Sequence, residues 1–206
     1  AGRGGAVVLI GPPGAGCTSV GRALAQATGA PFADLAAAVA AALGTGPDLA
    51  LVAAGERRYR RVEALAARAL LEEALRRGGV VALGSGCLTD ADVRALLRRL
   101  TAGGGRVVAL TASARRLAGR NGLDAPRSVA LGNVHHTFMQ MLRAREAACR
   151  ELASLNLDTT DTTPEQAAAS VLREQDDAGD GARPPGAPGT PETTRSDPGP
   201  SRSATA

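Results

Sequence analysis

A doubly wound α/β fold, with a parallel sheet and helices on both its faces, is predicted by three features of this 206-residue sequence. Short runs at residues 6–10, 80–83 and 106–110, apolar but for Arg106, are rich in Val, Leu and Ile and read as buried strands. Segments of helical periodicity separate them. Glycine-rich turns follow the first two runs directly, as expected where a strand hands over to the next element.

Ala6-Val7-Val8-Leu9-Ile10 is the first buried strand. From Thr18 to Thr28, Val20, Leu24 and Ala27 repeat at helical spacing until Gly29 stops them. Pro31-Phe32 leads into Asp34, and residues 35–43, nearly all Ala, Leu and Val, run to the Gly44-Thr45-Gly46-Pro47 turn. Glu56 to Arg77 predicts a long helix with Tyr59, Val62, Leu65, Ala69 and Leu70 on one face. Gly78-Gly79 closes it before the second strand, 80–83, and Gly84-Ser85-Gly86 follows. A helix over Asp90–Leu100, a strand over 106–110 and a short helix from Ser113 come next. The Gly-, Asn-, Asp- and Pro-containing segment 119–133 precedes a helix over Val134–Ala153. An extended piece, 155–158, and a last helix over Pro164–Arg173 end the domain.

Residues 1–175 therefore form one domain, and 176–206, dominated by Gly, Pro, Ala, Ser, Thr and Asp, a tail expected to be disordered. The aromatics are Phe32, Tyr59 and Phe138 alone, so the core must be Leu, Val and Ala, and single-strand nucleic-acid binding by base stacking is not expected. The net charge of +4 is spread as Arg pairs, most densely at 57–58 and 60–61, which read mainly as a solvated helix face. Three cysteines without metal spacing, and no apolar run long enough for a membrane span or signal peptide, predict a cytoplasmic protein, monomeric by default. His135-His136 reads as a polar loop or helix start rather than a catalytic pair.

Gly11-Pro12-Pro13-Gly14-Ala15-Gly16-Cys17-Thr18 is the G-x-x-x-x-G-K-[ST] phosphate loop with Cys17 in the lysine position. Its glycines would let backbone N–H groups face phosphate at a helix N-terminus, and Thr18 would ligate Mg²⁺. Every one of the 24 Lys+Arg residues is Arg, so no lysine elsewhere in the chain can fill the gap. Cys17 is neutral at pH 7, or a phosphate-repelling thiolate if its pKa were lowered.

Five blocks, in order over residues 6–173, resemble the shikimate kinase family of phosphate-loop kinases. Besides the loop they are Pro31-Phe32-Ala33-Asp34-Leu35-Ala36, Gly55-Glu56-Arg57-Arg58-Tyr59-Arg60-Arg61-Val62-Glu63, and Leu83-Gly84-Ser85-Gly86. The last joins Arg120-Asn121-Gly122-Leu123-Asp124-Ala125-Pro126-Arg127, like the family's lid, to Arg145-Glu146-Ala147-Ala148-Cys149, Leu157-Asp158-Thr159 and Pro164-Glu165. The resemblance implies ATP-dependent phosphorylation of the 3-hydroxyl of shikimate, with ATP and Mg²⁺ as cofactors. It places ATP on Gly11, Gly14, Ala15, Gly16, Cys17, Thr18 and the catalytic Arg120. It places shikimate on Asp34, Arg60, Gly84, Ser85, Gly86 and Arg145, with Arg60 and Arg145 on the carboxylate, and Mg²⁺ on Thr18 and Asp34. The sequence departs from the pattern at Cys17, at Ala36, where an acid grips the substrate hydroxyls, and at Ser85, which replaces a glycine. The R-P-L-L ending the lid is reduced to Arg127-Ser128-Val129-Ala130. These departures predict a much reduced rate. They leave open a non-catalytic binding or regulatory relative, and a kinase for another small acid.

Overall fold

The computed structural model describes residues 5–47, 49–122 and 129–180, and only the backbone of 129–135 and 175–180. Five parallel strands form one sheet: β1 (Ala6–Ile10), β2 (Phe32–Asp34), β3 (Gly79–Ala82), β4 (Arg106–Thr111) and β5 (Leu155–Asp158), in the order β2-β3-β1-β4-β5. Between them run α1 (Cys17–Thr28), α2 (Leu35–Leu43), α3 (Ala50–Ala54), α4 (Glu56–Arg77), α5 (Ala91–Ala102), α6 (Ala114–Arg120) and α7 (Val129–Leu152). A 3₁₀ turn, Gly86–Thr89, follows β3, and α8 (Pro164–Asp180) follows β5.

Strand alternation splits the core in two. Val8 and Ile10 of β1, with Val107 and Ala109 of β4, face Leu35, Val39, Ala67, Leu71 and Leu97 from α2, α4 and α5. Val7 and Leu9, with Val108 and Leu110, face Leu24 of α1, Leu117 of α6 and Val171 of α8. The predicted doubly wound sheet with helices on both faces is thus realised. The largest fully buried side chains are Leu, Ile and Val, as the scarcity of aromatics required. Each contributes about 1.5–3 kcal/mol relative to exposure.

β1 is central, pairing with β3 at Val7–Val80 and with β4 at Val8–Val107. The sequence runs outward from β1 to β2, returns to β3, then crosses to β4 and β5. Loops leaving the carboxyl ends of β1 and β3 therefore diverge at a switch point, where open α/β sheets form clefts.

Several local readings change in the structure. On α4 the buried stripe is Glu63, Ala67, Leu71 and Ala74, while Leu65 and Ala69 are exposed. Counting apolar residues missed this rotation because an acid occupies one inward position. On α1, Ala27 is exposed and Ala25 buried, with Gly21 admitting the Phe32 ring of β2. The strand β2 and helix α3 are three and five residues long, too short for periodicity to reveal. The helix α7 begins at Val129 rather than Val134. One interior glycine, Gly132, costs it about 1 kcal/mol, which 24 helical residues outweigh. Helix α8 extends to Asp180, past the composition change at Asp176. The rest of the expected tail, and Leu123–Ser128 of the lid-like block, lie outside the described residues. Among the described residues no helix is long and apolar enough to cross a membrane.

Candidate active site

A cleft of about 820 Å³ lies beyond the carboxyl ends of the strands. Its floor is the loop Gly11–Thr18 between β1 and α1, and one wall is Leu83–Gly86 after β3. Arg60 and Glu63 enter from α4, Arg145 and Met141 from α7, Arg120 from α6, and Thr159–Pro164 from the β5–α8 connection. Twelve of the thirteen site residues expected from the sequence line this one cleft; the exception is Asp34.

The loop curls because of its glycines. Gly14 has φ 84°, and a Cβ there would lie 2.8 Å from Asn121 Nδ2, so a side chain is excluded by both conformation and space. Gly16, at φ 99°, opens α1 with no side-chain cap. The first helical bond runs from Val20 N–H to Gly16 O, leaving the N–H groups of Thr18 and Ser19 at the helix start without a backbone acceptor among the described residues. An anion at this end gains from those donors and from the helix dipole.

Cys17 supplies no charge. Burial, then the neighbouring Cys149, pushes its thiol up to about 12; the Gly84 N–H opposes this and Asp34 adds to it. The thiolate considered from sequence is thus disfavoured, and at neutral pH the lysine position holds an uncharged group.

Across the cleft, Arg60 Nη1 donates to Glu63 Oε2 at 2.7 Å. Burial alone would lower the Arg60 pKa, but the bond and charge of Glu63 raise it. Gly86 brings the backbone against this pair: a Cβ there would lie 2.7 Å from Arg60 Nη1 and closer still to Glu63 Oε1. Arg145 differs. Among the described residues it has no hydrogen bond or ion pair, and its pKa is lowered by burial and then by Arg60. Two guanidiniums and one carboxylate therefore leave one uncompensated positive charge, and its holder is half-buried and unpaired. That arrangement attracts a monocarboxylate.

Asp34 caps α2, where Oδ1 accepts from Ala37 N–H at 3.1 Å. Its Oδ2 is buried with no hydrogen-bond partner among the described residues. The Thr18 side chain, which lines the cleft, and the orphaned carboxylate oxygen of Asp34 are both oxygen donors, the chemistry that suits Mg²⁺. No acid stands at Ala36, which lines the cleft. Ser85, expected to crowd the pocket, has a φ of −127° that any residue adopts. Its Oγ is buried and unpartnered. Arg120, expected at the phosphates, instead gives Nη1 to Gly14 O at 2.8 Å and Nη2 to Thr159 O at 3.0 Å.

Glu63 carries a signal in the sequence: it stands three residues after Arg60 on the same helix, the spacing of an intrahelical ion pair. Tyr59 lines the cleft beside it, its phenol pKa raised by burial and then by Glu63. Nothing local in the sequence signals Asn121, whose Nδ2 donates to Pro13 O at 3.0 Å. His136 does not line the cleft; it is exposed on α7 within 3.0 Å of Gln140 Nε2, and the side chain of His135 lies outside the described residues.

Comparison with known proteins gives one family. The shikimate kinase family model matches residues 13–176. A shikimate kinase of Thermobifida fusca is 39% identical over 174 residues, covering 84% of this chain and 96% of its own. One of Streptomyces coelicolor is 33% identical over 166 residues, covering 81% and 92%. Among solved structures, shikimate kinase from Acinetobacter baumannii in complex with shikimate superposes with a TM-score of 0.71 at 25% identity, covering 84% of this chain and 94% of that one.

Proposed function

This chain belongs to the shikimate kinase family, and from that membership we propose that its cleft binds shikimate and ATP and transfers the γ-phosphoryl group at a reduced rate. The observation that carries the reading is Arg145, half-buried, unpaired and facing the cleft beside the Arg60–Glu63 pair. A monocarboxylate relieves the repulsion between the two guanidiniums, and a bidentate Arg contact fixes its orientation.

With the carboxylate held there, a substrate hydroxyl can be presented toward the loop. The N–H groups of Gly14, Gly16, Thr18 and Ser19 receive the phosphates. In the transfer, the hydroxyl oxygen bonds to the γ-phosphorus as the bond from that phosphorus to the β–γ bridging oxygen breaks. ADP leaves and the hydroxyl proton is released to water. Mg²⁺, held by Thr18 and Asp34, would neutralise charge on the phosphate oxygens. The protein's contribution is positioning and fixed dipoles. The missing loop cation reduces the rate by about 10²–10³.

The neutral thiol of Cys17 and the apolar Ala36 favour a second reading, a binding relative without turnover. Shikimate and ADP titrations with a coupled ADP-release assay separate the two. Binding of both ligands with slow turnover supports the kinase, and binding without turnover supports the second reading. Failure to bind shikimate and ADP at millimolar concentration refutes both.

A further inference from the structure

The loop carries a second set of contacts, made by its carbonyls. Three successive carbonyls are each held by a different side chain. Pro13 O accepts from Asn121 Nδ2 at 3.0 Å, Gly14 O from Arg120 Nη1 at 2.8 Å, and Ala15 O from Thr159 Oγ1 at 2.9 Å. The donors come from the end of α6 and from the residue after β5, and they are tied together. Arg120 Nη2 donates to Thr159 O at 3.0 Å, and Asn121 Nδ2 also donates to Leu117 O at 2.7 Å. The hydroxyl of Thr159, a residue only 3% exposed, shares its one proton between Ala15 O and Thr111 O, each 2.9 Å away.

Peptide planarity gives these contacts a consequence across the loop. In a trans peptide the N–H points opposite the preceding C=O. Holding Pro13 O on Asn121 fixes the Gly14 N–H pointing the opposite way, and holding Ala15 O on Thr159 does the same for Gly16. The Ala15 N–H closes the turn on Pro12 O at 3.0 Å. The N–H groups of Gly14 and Gly16 have no backbone acceptor among the described residues.

We propose that Asn121 and Thr159 are positioning residues that, with Arg120, pin the loop carbonyls and so hold its amides in the orientation that receives phosphate. The proposal rests on the reading that phosphates bind this loop. It gives Arg120 a structural task that occupies both terminal nitrogens, and it makes the pinned backbone the main phosphate receptor in a loop without lysine. Asn121 belongs to the clamp because both its amide hydrogens point at carbonyls, an arrangement an aspartate cannot reproduce.

The test compares wild type with Asn121→Ala, Asn121→Asp, Thr159→Val and Thr159→Ser, titrating ADP, inorganic pyrophosphate and shikimate separately. The first three variants should weaken ADP and pyrophosphate about tenfold, the effect of one hydrogen bond of roughly 1–1.5 kcal/mol. Shikimate affinity should stay within about twofold, because the Arg60–Arg145 side is untouched. Thr159→Ser keeps the hydroxyl and should bind as wild type. Asn121, exposed at the end of α6, still provides the test if Thr159→Val fails to fold. Unchanged ADP and pyrophosphate affinity in the donor-deleting variants overturns the clamp alone. So does a loss that shikimate shares, since that marks general damage. A wild type that binds neither ADP nor pyrophosphate overturns the phosphate reading, and the clamp with it.

Discussion

Restoring the loop cation with Cys17→Lys should raise turnover by about 10²–10³, the range for one preorganised charge at a developing anion. With its thiol pushed up to about 12 by burial, Cys17 is neutral at pH 7, so the substitution adds nearly a full unit of charge. An ammonium about 4 Å from a phosphate oxygen gains about 4 kcal/mol at an effective dielectric of 20, before desolvation takes its share. The local field has the right sign. The Asp34 carboxylate is among the groups that raise the thiol's pKa, and the same negative field stabilises a cation. Space is available because Cys17 lines the cleft. The assay is coupled ADP release at saturating shikimate and MgATP, with ADP affinity measured in parallel. If the variant binds ADP at least as well as wild type but kcat stays within about threefold, the missing cation is not what limits the rate. Ala36→Asp added to Cys17→Lys should then show whether the substrate side does.

Other consequences follow from the same geometry. Arg145→Leu should weaken shikimate by about 30–100-fold, roughly 2–3 kcal/mol for one member of a charge-assisted pair, measurable by calorimetry. It should also raise the melting temperature, because burial and Arg60 already oppose the charge of Arg145 in the folded state; a fall in both would contradict this. Gly86→Ala puts a methyl 2.7 Å from Arg60 Nη1 and should displace the Arg60–Glu63 pair. The expected cost is about 1–3 kcal/mol of stability with loss of shikimate binding, and wild-type binding would count against the pair's role. Cys17 and Cys149, each pushed up to about 12 from an ordinary 9.0, favour the fold as neutral thiols, and Cys87 is raised further. Folded pKa values above the unfolded ones mean that this stability is complete below pH 9 and is lost as pH rises toward 12. Melting curves across that alkaline range should fall more steeply for wild type than for Cys149→Ala, and parallel slopes would argue against it.

Much of the architecture was legible locally. The runs 6–10 and 107–110 announced buried strands because both faces of a parallel strand are covered, so every residue in them is apolar. Glu56–Arg77 was legible as a helix but not in its rotation, since Glu63 takes an inward position that hydrophobic counting assigns to solvent. Strand β2 and helix α3 were too short to carry a period.

The sequence by itself determined the α/β class, the strand–loop–helix unit at Gly11–Thr18, and the chemical losses at Cys17 and Ala36, because each is a matter of residue type and local spacing. Only the tertiary structure decided which charges remain available. It paired Arg60 with Glu63 and left Arg145 unpaired, 85 positions away in the chain. It turned Asp34 into a helix cap with one orphaned oxygen, off the cleft lining. It also spent Arg120 and Asn121 on the backbone of a loop more than a hundred residues earlier. Periodicity records only which face of an element is buried. A hydrogen bond between α6 and the β1 loop depends on how the sheet closes, and that is fixed by the packing of the whole domain.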